Sequence, residues 1–204
     1  MTGKGAVSSS RPLLRTAAGE ARPLPVERWT AEPAPEEDDV LARAVAPVLD
    51  VGCGPGRHVL ALARAGHLAL GIDVAPYALV LARSQGAPVL ERSVFARIPG
   101  AGRWATVLLL DGNIGIGGDP AALLRRIAAL LRPGGRLLTE LEPPGTPGGR
   151  ERVRLEVDGR AGPWFPWARV GVDDAHAVAG RAGMAINDVW SGAGRWFARL
   201  DARG

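Results

Sequence analysis

A single cysteine, Cys53, rules out an internal disulfide, so the chain must be held by its core, and a reducing, cytoplasmic setting is expected. Aromatic residues make up only 5% of the 204 positions, and Lys4 is the only lysine among 25 basic side chains. No block of like charges is interleaved with aromatics, and the formal net charge of +4 is small for the length. Specific nucleic-acid binding is therefore not expected. Apolar runs are short and interrupted, so none can span a bilayer, and the stretch around Lys4, Arg11 and Arg15 lacks the apolar core of a signal peptide. Three scattered histidines and one cysteine give no metal-ligand spacing, and no metal is expected. A chain of this length can bury about 70% of its unfolded surface, enough for a core without staples.

The informative stretch is Val48-Leu49-Asp50-Val51-Gly52-Cys53-Gly54-Pro55-Gly56, followed by Asp73 at the end of a second apolar run. An apolar run ending in Asp50 and Val51 suits a buried parallel strand, and Arg57 to Ala65 suits a helix starting at the loop. The loop between them reads as a nucleoside-cofactor cradle, with Asp73 placed to accept hydrogen bonds from ribose hydroxyls. A dinucleotide fingerprint requires G-x-G-x-x-G. Here Arg57 follows Gly56 and the spacing is G-x-G-x-G.

That spacing, with Asp50 two positions before the first glycine, resembles motif I of the class I S-adenosylmethionine-dependent methyltransferases, in their small single-domain bacterial form. The resemblance implies an α/β fold: a doubly wound, mostly parallel seven-stranded sheet with a C-terminal antiparallel hairpin. From periodicity, strands are expected near residues 48–52, 68–73, 87–91, 105–110 and 135–141, with helices near 39–46, 56–66, 76–84 and 120–132. The last of these has Asp119 as N-cap and Pro120 at its first position. A helix near 173–182 and two strands near 184–190 and 195–201 complete the pattern. Residues 1–24, rich in Ser, Gly, Pro and Arg, are expected to form a disordered tail, leaving 25–204 as the domain. Between the fifth strand and the last helix, alternation over Val153, Leu155 and Val157 and a turn at Asp158-Gly159 predict an inserted β-hairpin flap at about 150–170.

The resemblance implies that S-adenosyl-L-methionine is the cofactor. It places Gly52, Cys53, Gly54 and Gly56 beneath the ligand, Asp50 toward its methionine end, and Asp73 with Val74 at the ribose. Ser93 and Val94 stand where the family often carries an acidic and an apolar residue against adenine, so the carboxylate is missing here. Asp111, Gly112 and Asn113 lie where the family's motif IV borders the transferred methyl. The activity implied is methyl transfer to a small-molecule acceptor by in-line displacement, which needs alignment more than side-chain chemistry. Where a base is required, the candidates are Asp111, Glu142 and His58. His58 also reads as a partly exposed residue of the helix after the loop. Trp29, Trp164 and Trp167 are candidates for an aromatic wall over the acceptor, or for simple burial against the sheet. An RNA or protein methyltransferase and a non-catalytic cofactor-binding relative remain as alternatives. The motif IV stretch does not match the Asn/Asp-Pro-Pro-aromatic pattern of nucleic-acid amino methyltransferases.

Overall fold

The computed structural model describes residues 12–202. The chain begins with strands β1 (Leu13–Thr16) and β2 (Ala21–Pro23) and helices α1 (Val26–Thr30) and α2 (Pro35–Ala42). It then alternates through β3 (Val48–Val51), α3 (Arg57–Arg64), β4 (Ala69–Asp73), α4 (Pro76–Ser84), β5 (Val89–Glu91) and β6 (Trp104–Leu109). A 3-10 segment (Asn113–Gly118), α5 (Pro120–Leu130) and β7 (Leu131–Leu141) follow. The remainder is β8 (Gly149–Val157), β9 (Arg160–Ala161), β10 (Phe165–Arg169), α6 (Val172–Arg181), β11 (Met184–Gly192) and β12 (Arg195–Ala202). No helix among the described residues is long and apolar enough to cross a membrane.

The large sheet has seven strands in the order β11-β12-β7-β6-β3-β4-β5. Strands β5 to β7 in that row pair in parallel, whereas β12 runs antiparallel to both β7 and β11. All residues of β3 and β6 are buried, because helices cover both faces of a parallel sheet. On one face Leu49, Val107 and Leu137 meet the apolar stripe Leu123, Leu124, Ile127 and Leu130 of α5. On the other, Val40 and Leu41 of α2, Val59 of α3 and Leu79 of α4 pack with Leu108 and Leu138. The doubly wound, mostly parallel architecture with its C-terminal antiparallel hairpin is as expected from the sequence. The α5 cap is also present, with Asp119 Oδ1 accepting from the Ala122 N–H at 3.0 Å.

Two elements differ from expectation. Residues 1–11 lie outside the described residues, but 13–16 and 21–23 are not a tail. They form a hairpin that joins the flap in a second sheet, order β10-β8-β1-β2, with β9 paired to β8. Leu13 to Thr16 pair antiparallel with Val153 to Glu156, and the ion pairs Arg15–Glu156 (2.8 Å) and Arg22–Glu151 (2.9 Å) stitch the sheet together. A four-residue strand in a Ser/Gly/Arg context takes its structure from a partner 141 positions away, which local pattern does not reveal. The second difference is α2, which begins at Pro35 rather than near 39. Pro at the first helical position followed by Glu36, Glu37 and Asp38 suits a helix N-terminus in full, so the acidic run is helix and not a turn before one.

The flap turns at Asp158 (φ 49°) and Gly159 (φ 73°), the paired left-handed conformation of a two-residue hairpin. Its return strand β10 presses on the 3-10 segment. A Cβ at Gly115 would lie 2.1 Å from the Ala168 carbonyl oxygen and 2.7 Å from Trp167 Nε1, and one at Gly118 would lie 2.8 Å from Pro166. Gly115 and Gly118 therefore let the flap seat on the sheet's carboxyl edge. Gly115→Ala is expected to force the two apart and cost about 1–3 kcal/mol, a fall of roughly 2–12 °C in Tm for this size. An unchanged melting curve would show that β10 does not seat there.

Candidate active site

The site lies at the carboxyl ends of β3, β4, β6 and β7, the edge at which open parallel sheets bind ligands. The glycine loop leaves β3 at Gly52 and enters α3 at Arg57. At Gly54, φ is +53° and nothing stands within 4 Å of where a side chain would begin, so the loop leaves an open cradle. Asp73 faces it from the end of β4. Its Oδ2 accepts from the Gly54 N–H at 2.7 Å, and its Oδ1 from the Val74 and Ala75 N–H groups at 2.6 and 2.8 Å. One carboxylate thus pins the loop and the turn that leads into α4. Asn113 pins the other side: its side-chain amide donates to the carbonyls of Val51 and Gly52, both at 3.0 Å.

Cys53 turns away from the cradle. It is 7% exposed, and Gly71 of β4 is glycine because a Cβ there would sit 2.7 Å from Cys53 Sγ. Burial, reinforced by Asp50 and Asp73, pushes its thiol well above the usual cysteine range, so it packs and does not react. Ser93 Oγ accepts from the Phe95 N–H at 3.3 Å, and the carbonyl of the buried Val94 accepts from Arg126 Nε at 2.9 Å. Phe95 is half exposed beside Gly117.

Of the three candidate bases, the structure separates them sharply. His58 is not a partly exposed helix residue: it is 3% exposed, set between Asp50 and Glu37 with each carboxylate 3.7 Å from one ring nitrogen. Asp111 sits at φ 55°, an uncommon conformation for a non-glycine residue, held by guanidinium groups. Arg28 donates to Oδ1 at 2.7 Å, Arg57 to Oδ2 at 2.7 Å, and Arg195 to Oδ1 at 3.3 Å. Both oxygens are engaged, so it is a poor acceptor for a substrate proton. Glu142 alone is uncommitted. Its backbone bridges to Val170 and Val172, while no hydrogen bond or ion pair engages its carboxylate among the described residues.

The arginines around Asp111 belong to a cluster that local sequence did not disclose. Arg57 also binds Glu37 (2.6 and 3.2 Å), and Arg195 binds Glu37 and, at 2.7 and 2.8 Å, both oxygens of Glu140. Glu37 is fully buried. Burial by itself would raise its carboxyl, but His58, Arg57 and Arg195 together hold it far below the usual carboxylate range. Of these residues, Arg57 carried a sequence signal, as the residue directly after the glycine loop.

A cleft of about 180 Å³ opens beside this cluster, lined by Glu140, Glu142, Trp167, Arg169 and Arg195. Trp167 is therefore where an acceptor wall was expected. Trp164 is not: it is 37% exposed, does not line the cleft, and carries the Arg154 guanidinium 4.8 Å from its ring. Trp29 lines a separate small hollow with Pro55 of the glycine loop, Arg57 and Gln85, and no flap residue lines it. Another hollow, of about 360 Å³ between α5, α6 and the flap, includes neither the glycine loop nor Glu142 and is not the candidate site.

Residues 48–135 match the family described as a methyltransferase domain. A ubiquinone biosynthesis O-methyltransferase of Xanthomonas campestris pv. campestris is 36% identical over 115 residues, which cover 49% of this chain and 46% of that protein. The chain thus spans about half the length of the curated relatives it matches. Among solved structures, an S-adenosylmethionine-dependent methyltransferase from Bacteroides fragilis, in complex with S-adenosyl-L-homocysteine, superposes with a TM-score of 0.81 at 24% identity, covering 97% of this chain and 90% of that one. The glycopeptide N-methyltransferase MtfA, complexed with S-adenosylmethionine, superposes with a TM-score of 0.64 at 15% identity, covering 85% and 96%.

Proposed function

From the premise that residues 48–135 carry a methyltransferase domain within the class I fold, we propose that this chain transfers a methyl group from S-adenosylmethionine to a small-molecule acceptor by in-line displacement. The observation that carries the reading is the open cradle at Gly54, facing Asp73 across the ends of β3 and β4. The residues present fit the ligand. Gly54 leaves room for it, whereas the space at Gly52 is filled by the Asn113 side chain, and Asp50 offers a buried oxygen without a hydrogen-bond partner at the methionine end. Three of the roughly four acceptor positions of Asp73 are already taken by N–H groups. It therefore holds about one ribose hydroxyl unless the loop lets go.

Bound there, S-adenosylmethionine supplies a methyl group already activated by a sulfonium charge. What remains for the protein is alignment, exclusion of water and proton removal. The cleft of about 180 Å³ has room for about one aromatic ring, which supports a small acceptor over a macromolecular one. The relative named for ubiquinone biosynthesis supports the same class. Trp167 and β10, seated on the glycines of the 3-10 segment, close one side of the cleft. Glu142 takes the acceptor's proton, since Asp111 and Glu140 are both spent on arginines.

The assay is formation of S-adenosylhomocysteine from S-adenosylmethionine across a panel of small phenols and amines. Turnover of at least one acceptor is expected, with Glu142→Gln lowering kcat by about 10²–10⁴-fold at unchanged S-adenosylhomocysteine affinity. Wild-type turnover by the Glu142→Gln variant would remove Glu142 from the mechanism. A panel with no turnover, alongside clear cofactor binding, would favour a binding role instead.

A further inference from the structure

We propose that His58 is a positioning residue of the cofactor site, the counter-ion of the buried Asp50 carboxylate, and that an S-adenosyl ligand's ammonium reaching Asp50 releases the His58 proton. The inference rests on the cofactor reading above but concerns this chain's own pair of side chains. Asp50 is 2% exposed, in mid-ladder between Gly71 of β4 and Leu108 of β6, and its Oδ2 makes no hydrogen bond. An ionised carboxylate cannot stay in so dry a place without a cation. Among the described residues the basic side chain in ion-pair contact with it is His58, with Nδ1 at 3.7 Å.

His58 lies in the first turn of α3, so the imidazole closes the base of the glycine loop that begins two residues after Asp50. Among the described residues, the charged groups around it come from several elements, with Glu36 of α2 also 3.6 Å from Arg195. From α2, Glu37 faces Nε2 at 3.7 Å. Arg57 of α3 and Arg195 of β12 bind that same Glu37, and they tie in turn to Asp111 after β6 and Glu140 of β7, with Arg28 of α1 on Asp111. Glu37 is thus supplied with two guanidinium partners of its own, whereas Asp50 has only the imidazole. Burial lowers the His58 pKa, but its interactions with Asp50 and then Glu37 outweigh burial and the nearby Arg57, leaving it above the usual histidine value.

Two cations then compete for one carboxylate. Before binding, imidazolium stands against Asp50. When the ligand's ammonium takes that place, the buried imidazolium loses its main counter-charge, and its proton passes to solvent while all heavy-atom bonds stay intact. Ligand affinity consequently rises with pH across the His58 titration, by up to about tenfold per pH unit. The thioether product and the sulfonium cofactor share the ammonium, so S-adenosylhomocysteine serves as probe.

The test is calorimetry of the whole chain with S-adenosylhomocysteine, from pH 6 to pH 8, in two buffers of different ionisation enthalpy, with ¹⁵N NMR of the imidazoles alongside. The chain has three histidines, so the His58 signal is assignable by His67→Gln and His176→Gln. Release of a measurable fraction of a proton is expected, with the His58 ring moving from imidazolium to neutral as ligand is added. His58→Gln should abolish the release. Asp50→Asn, read by NMR without ligand, should lower the His58 pKa by at least about one unit. Binding with no proton release and an unmoved His58 signal would overturn the proposal. A chain that binds no S-adenosylhomocysteine at all would instead refute the cofactor reading, and the Asp50→Asn titration would still decide whether the pair exists.

Discussion

Glu37→Ala is expected to destabilise the fold by about 3–5 kcal/mol, because it leaves two buried guanidinium groups short of a counter-charge. For a chain of this size that is a fall of roughly 6–20 °C in Tm. The side chain is fully buried, and it joins Arg57, Arg195 and the Ala34 N–H, the last at 3.0 Å. Arg57 keeps Asp111 and Arg195 keeps Glu140, so the loss is partial and the fold should still form. The effect depends on pH in a defined direction. A carboxyl whose folded pKa is lowered contributes stability above the ordinary carboxylate range and loses it as pH falls. The gap between wild type and Glu37→Ala should therefore narrow in acid. A change below about 1 kcal/mol at neutral pH would mean the cluster is solvated like a surface ion pair.

Gly54→Val is expected to reduce affinity for S-adenosylhomocysteine by more than about a hundredfold, while costing the fold only the strain of a left-handed residue, about 1–2 kcal/mol. Nothing in the protein stands within 4 Å of the position of the new Cβ. The two added methyl groups therefore meet the ligand's space and not the chain. Gly54→Ala should fall between. Calorimetry showing unchanged affinity in the valine variant would reduce the loop to an ordinary turn.

What could be read from the sequence was whatever depends on local pattern. The interior strands β3 and β6 are near-continuous apolar runs because both faces are covered, and the glycine spacing marks the loop whichever strands surround it. Pro120 and Asp119 announce α5 in the same way. What could not be read depends on distant pairing. Glu37 looks like one acid in a solvated run, yet its partners Arg57 and Arg195 lie 20 and 158 positions away. The strand at Leu13–Thr16 exists because β8 offers it an edge. His58 differs from a helix-surface histidine only through Asp50 and Glu37, which arrive from two other elements. The candidate site divides accordingly: the glycine loop with Asp73 beside it was legible, and the ion cluster that engages both oxygens of Asp111 was not.

The open loop at Gly54 is proposed to hold an S-adenosyl group and not a dinucleotide. Thermal melting with S-adenosylhomocysteine, S-adenosylmethionine and NAD tests it most directly. At a hundredfold excess over Kd a bound ligand stabilises by about 2.7 kcal/mol, a rise of roughly 5–10 °C in Tm here. That rise is expected with either adenosyl ligand and not with NAD; a rise with NAD and none with the adenosyl ligands would contradict the account.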